Sequence, residues 1–194
     1  MATYNAVAAV THAVLSLLRD ACPRDVFPEA QFEPLLINGQ PPAFSDGATL
    51  LLYRVGLNGR RTVQYPTRPD GRRPRPAIAL DLFYLLSVWG RSVEQQQRLL
   101  GWCIRELASH TALPSGVLNQ YHLGQSDTFS ATEDLEVTCE PLSLQDLSAI
   151  WDVLKPQVPL SIGYVVHMVP IEADLVAVGV PVQTRCFDMG VPPW

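Results

Sequence analysis

From Asn5 to Ala21 the apolar residues Ala6, Val10, Ala13, Val14, Leu17, Leu18 and Ala21 recur at steps of three and four, and Pro23 ends the pattern. That spacing predicts an amphipathic first helix. A stretch punctuated by Pro23, Pro28, Pro34, Pro41 and Pro42 follows, with Phe32–Ile37 as its one candidate strand. Ala48–Leu57 reads as a strand carrying Leu50, Leu52, Tyr53 and Val55, and Asn58-Gly59 supplies a turn after it. The next apolar run starts only at Ile78, so this hairpin carries a long loop rather than a tight turn. Ile78–Trp89 is apolar on both alternating faces, with Leu80, Leu82, Tyr84 and Leu86 on one and Ala79, Phe83, Leu85 and Trp89 on the other. A strand of that kind is covered on both sides and belongs at the centre of a sheet.

Ser92 with Gln95 predicts a capping box opening a helix through Ser109, with Val93, Leu100, Cys103, Ile104 and Leu107 on its inner stripe. Gly101 in mid-helix costs about 1 kcal/mol against alanine, which predicts close backbone packing there. Glu133–Pro141 alternates strictly, Leu135, Val137 and Cys139 against Asp134, Glu136, Thr138 and Glu140, as a half-exposed strand does. Ser143 with Asp146 opens a further helix with Leu144, Leu147, Trp151 and Leu154 on one stripe, stopped by Pro156. Leu160–Ile171 is again a strand with two apolar faces, and Val176–Val182 is a strand candidate in the tail. Helix, strands, helix, strand, helix, strand predicts an α/β (α+β) fold, a mixed and largely antiparallel central sheet flanked by helices. One domain is expected over residues 1–172, with an Arg/Pro-rich loop at 58–76 and a C-terminal arm at 173–194.

Composition adds a hint of assembly. The 194 residues suffice to bury a core without disulfides or metals. At 47% hydrophobic and 17% charged, the chain is more apolar than an ordinary soluble domain, and the surplus is available for subunit contacts. The net charge of −5 argues against nucleic acid or an anionic membrane as partner of the whole molecule. No run approaches the ~20 apolar residues of a membrane span and no signal peptide is evident, so the protein is expected in the cytoplasm. Cys22, Cys103, Cys139 and Cys186 are widely spaced and read as reduced, buried thiols.

Catalytic signatures are missing. His12, His110, His122 and His167 show no metal-ligand spacing, and there is no nucleophile elbow, phosphate loop or dinucleotide fingerprint. His167 and His12 read as satisfied core or interface histidines. Asp81, a lone carboxylate within the central apolar strand, must be hydrogen-bonded, paired or shifted in pKa. Its functional reading is a buried acid in a site; its structural reading, preferred here, is a partner for an arginine or a backbone turn. Asp134, Glu136 and Glu140 read as a solvated stripe rather than a cation site. Arg60, Arg61, Arg68, Arg72, Arg73 and Arg75 crowd one loop, with Asp70 the sole acid among them. Such a loop is solvated, binds nucleic acid, or docks onto an acidic protein surface, and the bidentate chemistry of arginine favours docking.

Several segments taken in order, LLLYRVGLN, RPRPAIALDLFYLLSVWG, EQQQRLLGWCIRELASH, PLSLQDLSAIWDVLK and PLSIGYVVHMVPIE, resemble the cap, or tail-terminator, proteins of extracellular contractile injection systems. The similarity extends from the first helix to about Glu172. It rests most on Leu52-Tyr53-Arg54, on Asp81 with Tyr84-Leu85-Leu86, on Leu99-Leu100-Gly101, and on Leu147–Trp151 with Ser161–Tyr164. The resemblance implies a phage tail-terminator-like fold and a ring, a homo-hexamer, closing the inner tube and contractile sheath of the particle. It implies no catalysis and no cofactor, with Asp81, Tyr84, Gly101, Trp151 and Tyr164 in structural roles and sheath and tube subunits as partners. The alternative is a small ligand- or nucleotide-binding accessory, or enzyme, of the same kind of gene cluster.

Overall fold

Ile78–Trp89 has neighbours on both sides, as its two apolar faces require. In a computed structural model describing residues 4–36, 42–59, 73–74, 77–120, 128–154, 159–172 and 176–177, this segment is strand β4. It pairs antiparallel with β2 (Gly47–Leu57) and with β7 (Leu160–Ile171). β1 (Gln31–Pro34) lies parallel outside β2, while β6 (Asp134–Cys139) and then β5 (Ala112–Pro114) extend the sheet antiparallel beyond β7. The six-stranded mixed sheet thus runs β1-β2-β4-β7-β6-β5. A separate two-stranded antiparallel ribbon joins β3 (Arg73–Pro74) to β8 (Val176–Ala177). The helices are α1 (Ala6–Ala21), α2 (Val93–Ser109), α3 (Ser115–Leu118) and α4 (Leu144–Leu154).

One face of the sheet carries the main core. Leu50, Leu82, Tyr84, Leu86, Val88, Val166 and Val169 pack there with Ala6, Ala9, Val10, Ala13, Val14 and Leu18 of α1 and Leu99, Cys103 and Leu107 of α2. Each large side chain so buried contributes about 1.5–3 kcal/mol before entropy is set against it. Tyr84 and Tyr164 stand side by side in register, both buried. The Tyr84 hydroxyl is 3.0 Å from Thr11 Oγ1, which in turn lies 3.2 Å from the Val7 carbonyl it donates to.

The second face is also covered. Thr49, Ser87 and Ser161 stand in register across β2, β4 and β7 and satisfy one another: Ser87 Oγ is 2.8 Å from Ser161 Oγ, which donates to Pro159 O. Trp89 Nε1 donates to Thr49 Oγ1 over 2.9 Å and closes that row. The chain leaving β6 crosses this face so tightly that a Cβ on Gly163 would sit 2.5 Å from the Glu140 carbonyl oxygen. Gly163 is therefore needed for backbone approach, not for an unusual φ.

Several local expectations change. The first strand is Gln31–Pro34 rather than 32–37: its ladder to β2 closes with Leu35 N donating to Leu50 O at 3.0 Å, and position 37 lies outside the described residues. In α2, Val93 is exposed and Leu99 takes its place in the buried stripe, since the first turn stands clear of the sheet. Leu144, in the first turn of α4, is 86% exposed, and none of the described α4 side chains is fully buried. Cys139 is exposed at the end of β6, unlike the buried Cys22 and Cys103. Gly101 does not serve close packing within this chain: it is exposed, and a Cβ there would meet nothing within 4 Å. The stretch after α2, which has no periodicity, supplies β5 and α3 and buries Leu113, Leu118 and Phe129. Asn119 holds it, donating to Phe129 O and accepting from Phe129 N, each at 2.8 Å.

Candidate functional site

Asp81 sits where β7 bulges. Leu80 pairs with Val169 and Leu82 with Val166, so His167 and Met168 together oppose the single residue Asp81. Met168 adopts φ 61°, the left-handed conformation that a bulge demands and a non-glycine residue rarely takes. The Asp81 carboxylate compensates for it. Oδ1 accepts from Met168 N at 3.1 Å, and Asn58 Nδ2, just past β2, lies 3.0 and 3.1 Å from the two carboxylate oxygens. His167 Nδ1 is 3.3 Å from Oδ1, and because a carboxylate only accepts, that nitrogen carries the proton. In the neutral ring Nε2 is then the acceptor for Thr138 Oγ1, 3.2 Å away on β6. Burial alone raises the Asp81 pKa, but the bonds from Asn58, Met168 and His167 together outweigh it and hold the carboxyl below its ordinary value.

The partners of Asp81 are thus an amide, a backbone N–H of the bulge and an imidazole, not an arginine. Sequence reasoning saw Asp81 and His167 separately but found no titratable neighbour for the aspartate, since the two are 86 residues apart. Carboxylate, imidazole and hydroxyl occur here in the order of a nucleophilic triad. The hydroxyl, however, is on a threonine of a regular strand. What the array does in the fold is tie β2, β4, β7 and β6 together across four strands.

The remaining sequence-marked residues are dispersed. Arg73 lies in β3, and its backbone pairs with Ala177; Arg60, Arg61, Arg68, Arg72 and Arg75 lie outside the described residues. Trp151 on α4 is half-buried, and its Nε1 is enclosed without a hydrogen-bond partner among the described residues. Burial, with the Cys139 and Cys103 thiols nearby, pushes the Tyr164 hydroxyl up to about 12. His110 is on the surface beside Glu106, and position 122 lies outside the described residues. Among the described residues no three His, Cys, Asp or Glu side chains gather as a metal site requires, and no helix is long and apolar enough to cross a membrane. A depression of about 190 Å³ lined by Phe27, Glu29, Asp46, Arg91 and Leu99 has its charges paired internally, Arg91 Nε lying 3.0 Å from Asp46 Oδ2 and its other end meeting Glu29.

Surface chemistry of another kind appears around Arg54. Its register with Phe83, restored after a bulge at Tyr53, stacks the guanidinium 3.7 Å from the Phe83 ring centroid, with Glu140 at 3.8 Å. Tyr53 packs against the same ring at 6.4 Å between centroids. Arginine with aromatics is the composition that protein interfaces favour.

Comparison with known families decides the lineage: the profile of the Pvc16 N-terminal domain matches residues 9–185. The chain belongs to the Pvc16 N-terminal domain family. Among solved structures, this Pvc16 N-terminal domain is similar to the sheath/tube terminator of PVC, an extracellular contractile injection system, in its extended state. That match has 16% identity and a TM-score of 0.64, covering 96% of this chain and 64% of the other. It is also similar to the tube-terminating cap of the anti-feeding prophage, at 17% identity and TM-score 0.61, covering 92% of this chain and 59% of that one. The present chain therefore spans about three fifths of the length of those two proteins. No curated protein matches it. The shared fold is the mixed, largely antiparallel sheet with its helices, in agreement with the terminator-like architecture expected from the sequence.

Proposed function

We propose that this Pvc16 N-terminal domain is the body of a structural cap, a terminator subunit that closes the end of the tube and sheath of a contractile, phage-tail-like particle. The observation that carries the reading is a fold match over 96% and 92% of the chain to a sheath/tube terminator and a tube-terminating cap, beside the family match over residues 9–185. Assembly is cytoplasmic in this reading, as a homo-hexameric ring. Exposed Arg54 with the half-buried Phe83 and Tyr53, and the six arginines Arg60, Arg61, Arg68, Arg72, Arg73 and Arg75, face neighbouring, acidic sheath or tube subunits in this reading.

Co-expression with the tube and sheath proteins of the same cluster, followed by imaging of the particles, tests this. The domain is expected at one end of each particle and in a ring when isolated. A monomer absent from particles overturns the reading. Arg72→Ala, Arg73→Ala and Arg75→Ala together are expected to reduce incorporation while leaving the melting temperature unchanged; full incorporation removes the loop from the interface.

One observation supports a second reading. Asp81, His167 and Thr138 stand in the order of a hydrolytic triad, so the accessory-enzyme alternative has a defined site. If it is right, purified protein hydrolyses activated esters and Thr138→Val abolishes this. No hydrolysis above the Thr138→Val background leaves the array with its cross-strand role.

A further inference from the structure

The odd-numbered residues of β1 face β2: Gln31 N donates to Asp46 O and Leu35 N to Leu50 O, each at 3.0 Å. In a strand the N–H and C=O of one residue point to the same side, and the side alternates from residue to residue. Ala30, Phe32 and Pro34 therefore turn theirs outward, where the six-stranded sheet has no further strand. A free edge of this kind is a template on which another chain can pair. The opposite edge is far shorter, since β5 has three residues and ends at Pro114.

The outward groups of β1 are nevertheless taken. Phe32 O accepts from Arg19 Nη2 at 2.6 Å and Ala30 O from Arg24 Nη1 at 2.7 Å, so two successive outward carbonyls each meet a guanidinium. Ala30 N donates back to Phe27 O at 3.4 Å, and Pro34 has no N–H to offer. An incoming strand would have to displace two charge-assisted bonds, each stronger than the neutral rung that replaced it. Arg19 stands in the last turn of α1 and Arg24 just past Pro23, and Arg24 Nη2 also reaches Arg19 O at 3.4 Å, which ties both to the open carbonyls of the helix end. Asp20 and Asp25 adjoin them in the chain, yet among the described residues both guanidinium groups bond backbone carbonyls rather than a carboxylate.

We propose that Arg19 and Arg24 guard the β1 edge, holding shut a strand-receiving surface onto which β1 of a second copy would otherwise add. Two such edges can meet antiparallel about a two-fold axis, so the second copy is the partner this surface fits. The inference does not rest on the terminator reading and is tested on free protein without particles, so its failure leaves that reading standing.

The test compares the full chain with two double variants. Arg19→Met with Arg24→Met keeps unbranched apolar stems but removes the donors, whereas Arg19→Lys with Arg24→Lys keeps a donor and a charge at each place. All three are followed by sedimentation over a concentration series, by circular dichroism, and by hydrogen exchange read by mass spectrometry. The methionine variant is expected to form species of at least double the parent's mass at high concentration, with circular dichroism unchanged and new protection confined to residues 30–35. The lysine variant is expected to keep the parent's mass. A methionine variant that keeps the parent's mass throughout overturns the proposal, as does new protection elsewhere or equal association of the lysine variant. Arg24→Met alone is measured alongside, because Arg24 is exposed and lies outside α1; should the double variant lose its fold, the single one decides by the same outcomes.

Discussion

Replacing Asp81 with asparagine changes almost no volume but removes the charge on which three groups converge. The carboxylate accepts from Met168 N, Asn58 Nδ2 and His167 Nδ1. An asparagine in either amide orientation turns an NH2 toward at least one of these donors. Hydrogen bonds to a charged group contribute about 1.5–3 kcal/mol each, and the partial exposure of Asp81 lets water replace some of them, so Asp81→Asn is expected to cost about 2–3 kcal/mol. For a domain of this length, that is a fall of roughly 4–12 °C in melting temperature. The folded-state pKa of Asp81 is depressed, so its stabilisation is fully present above the unfolded value of about 3.9 and is lost as pH falls through the folded value. Asparagine does not titrate there. Urea denaturation of parent and variant at neutral pH and at successive acid steps should therefore show a gap that closes below the carboxylate range. Equal stability at neutral pH, or a gap that persists undiminished in acid, refutes the argument that the charge holds the bulge.

Other substitutions separate the roles assigned above. Gly101→Ala is expected to stabilise the isolated subunit by about 0.5–1 kcal/mol in thermal unfolding, because the helix gains propensity and the added methyl meets open space; loss of ring assembly in that variant would place Gly101 against a neighbouring subunit. Gly163→Ala should instead cost about 1–3 kcal/mol by chemical denaturation, since its Cβ meets the Glu140 carbonyl and the Leu142 side chain. Tyr84→Phe removes the hydroxyl beside Thr11, which keeps its bond to Val7 O, and a loss of about 1 kcal/mol is expected in the same assay.

Much of the architecture is written locally. Both faces of Ile78–Trp89 are apolar, and the strand is central because only a position covered on both sides keeps all of Leu80, Leu82, Tyr84 and Leu85 from water. Ser92 and Ser143 start α2 and α4 through bonds to the backbone N–H three residues on, a range that sequence spacing captures directly. The phase of each helix against the core was less legible: Val93 and Leu144 fit the apolar stripes but are exposed in the first turns of their helices, a matter of docking and not of periodicity.

The amino-acid sequence by itself determined the element types, the central strand, the two capped helices and the likeness to the terminator family. Tertiary structure decided which distant residues meet. It set His167 and Thr138 beside Asp81, and tightened the backbone at Gly163 while leaving Gly101 open. Those outcomes depend on strand register, where a one-residue bulge such as that at Met168 changes which side chains face each other, and no short-range pattern encodes it.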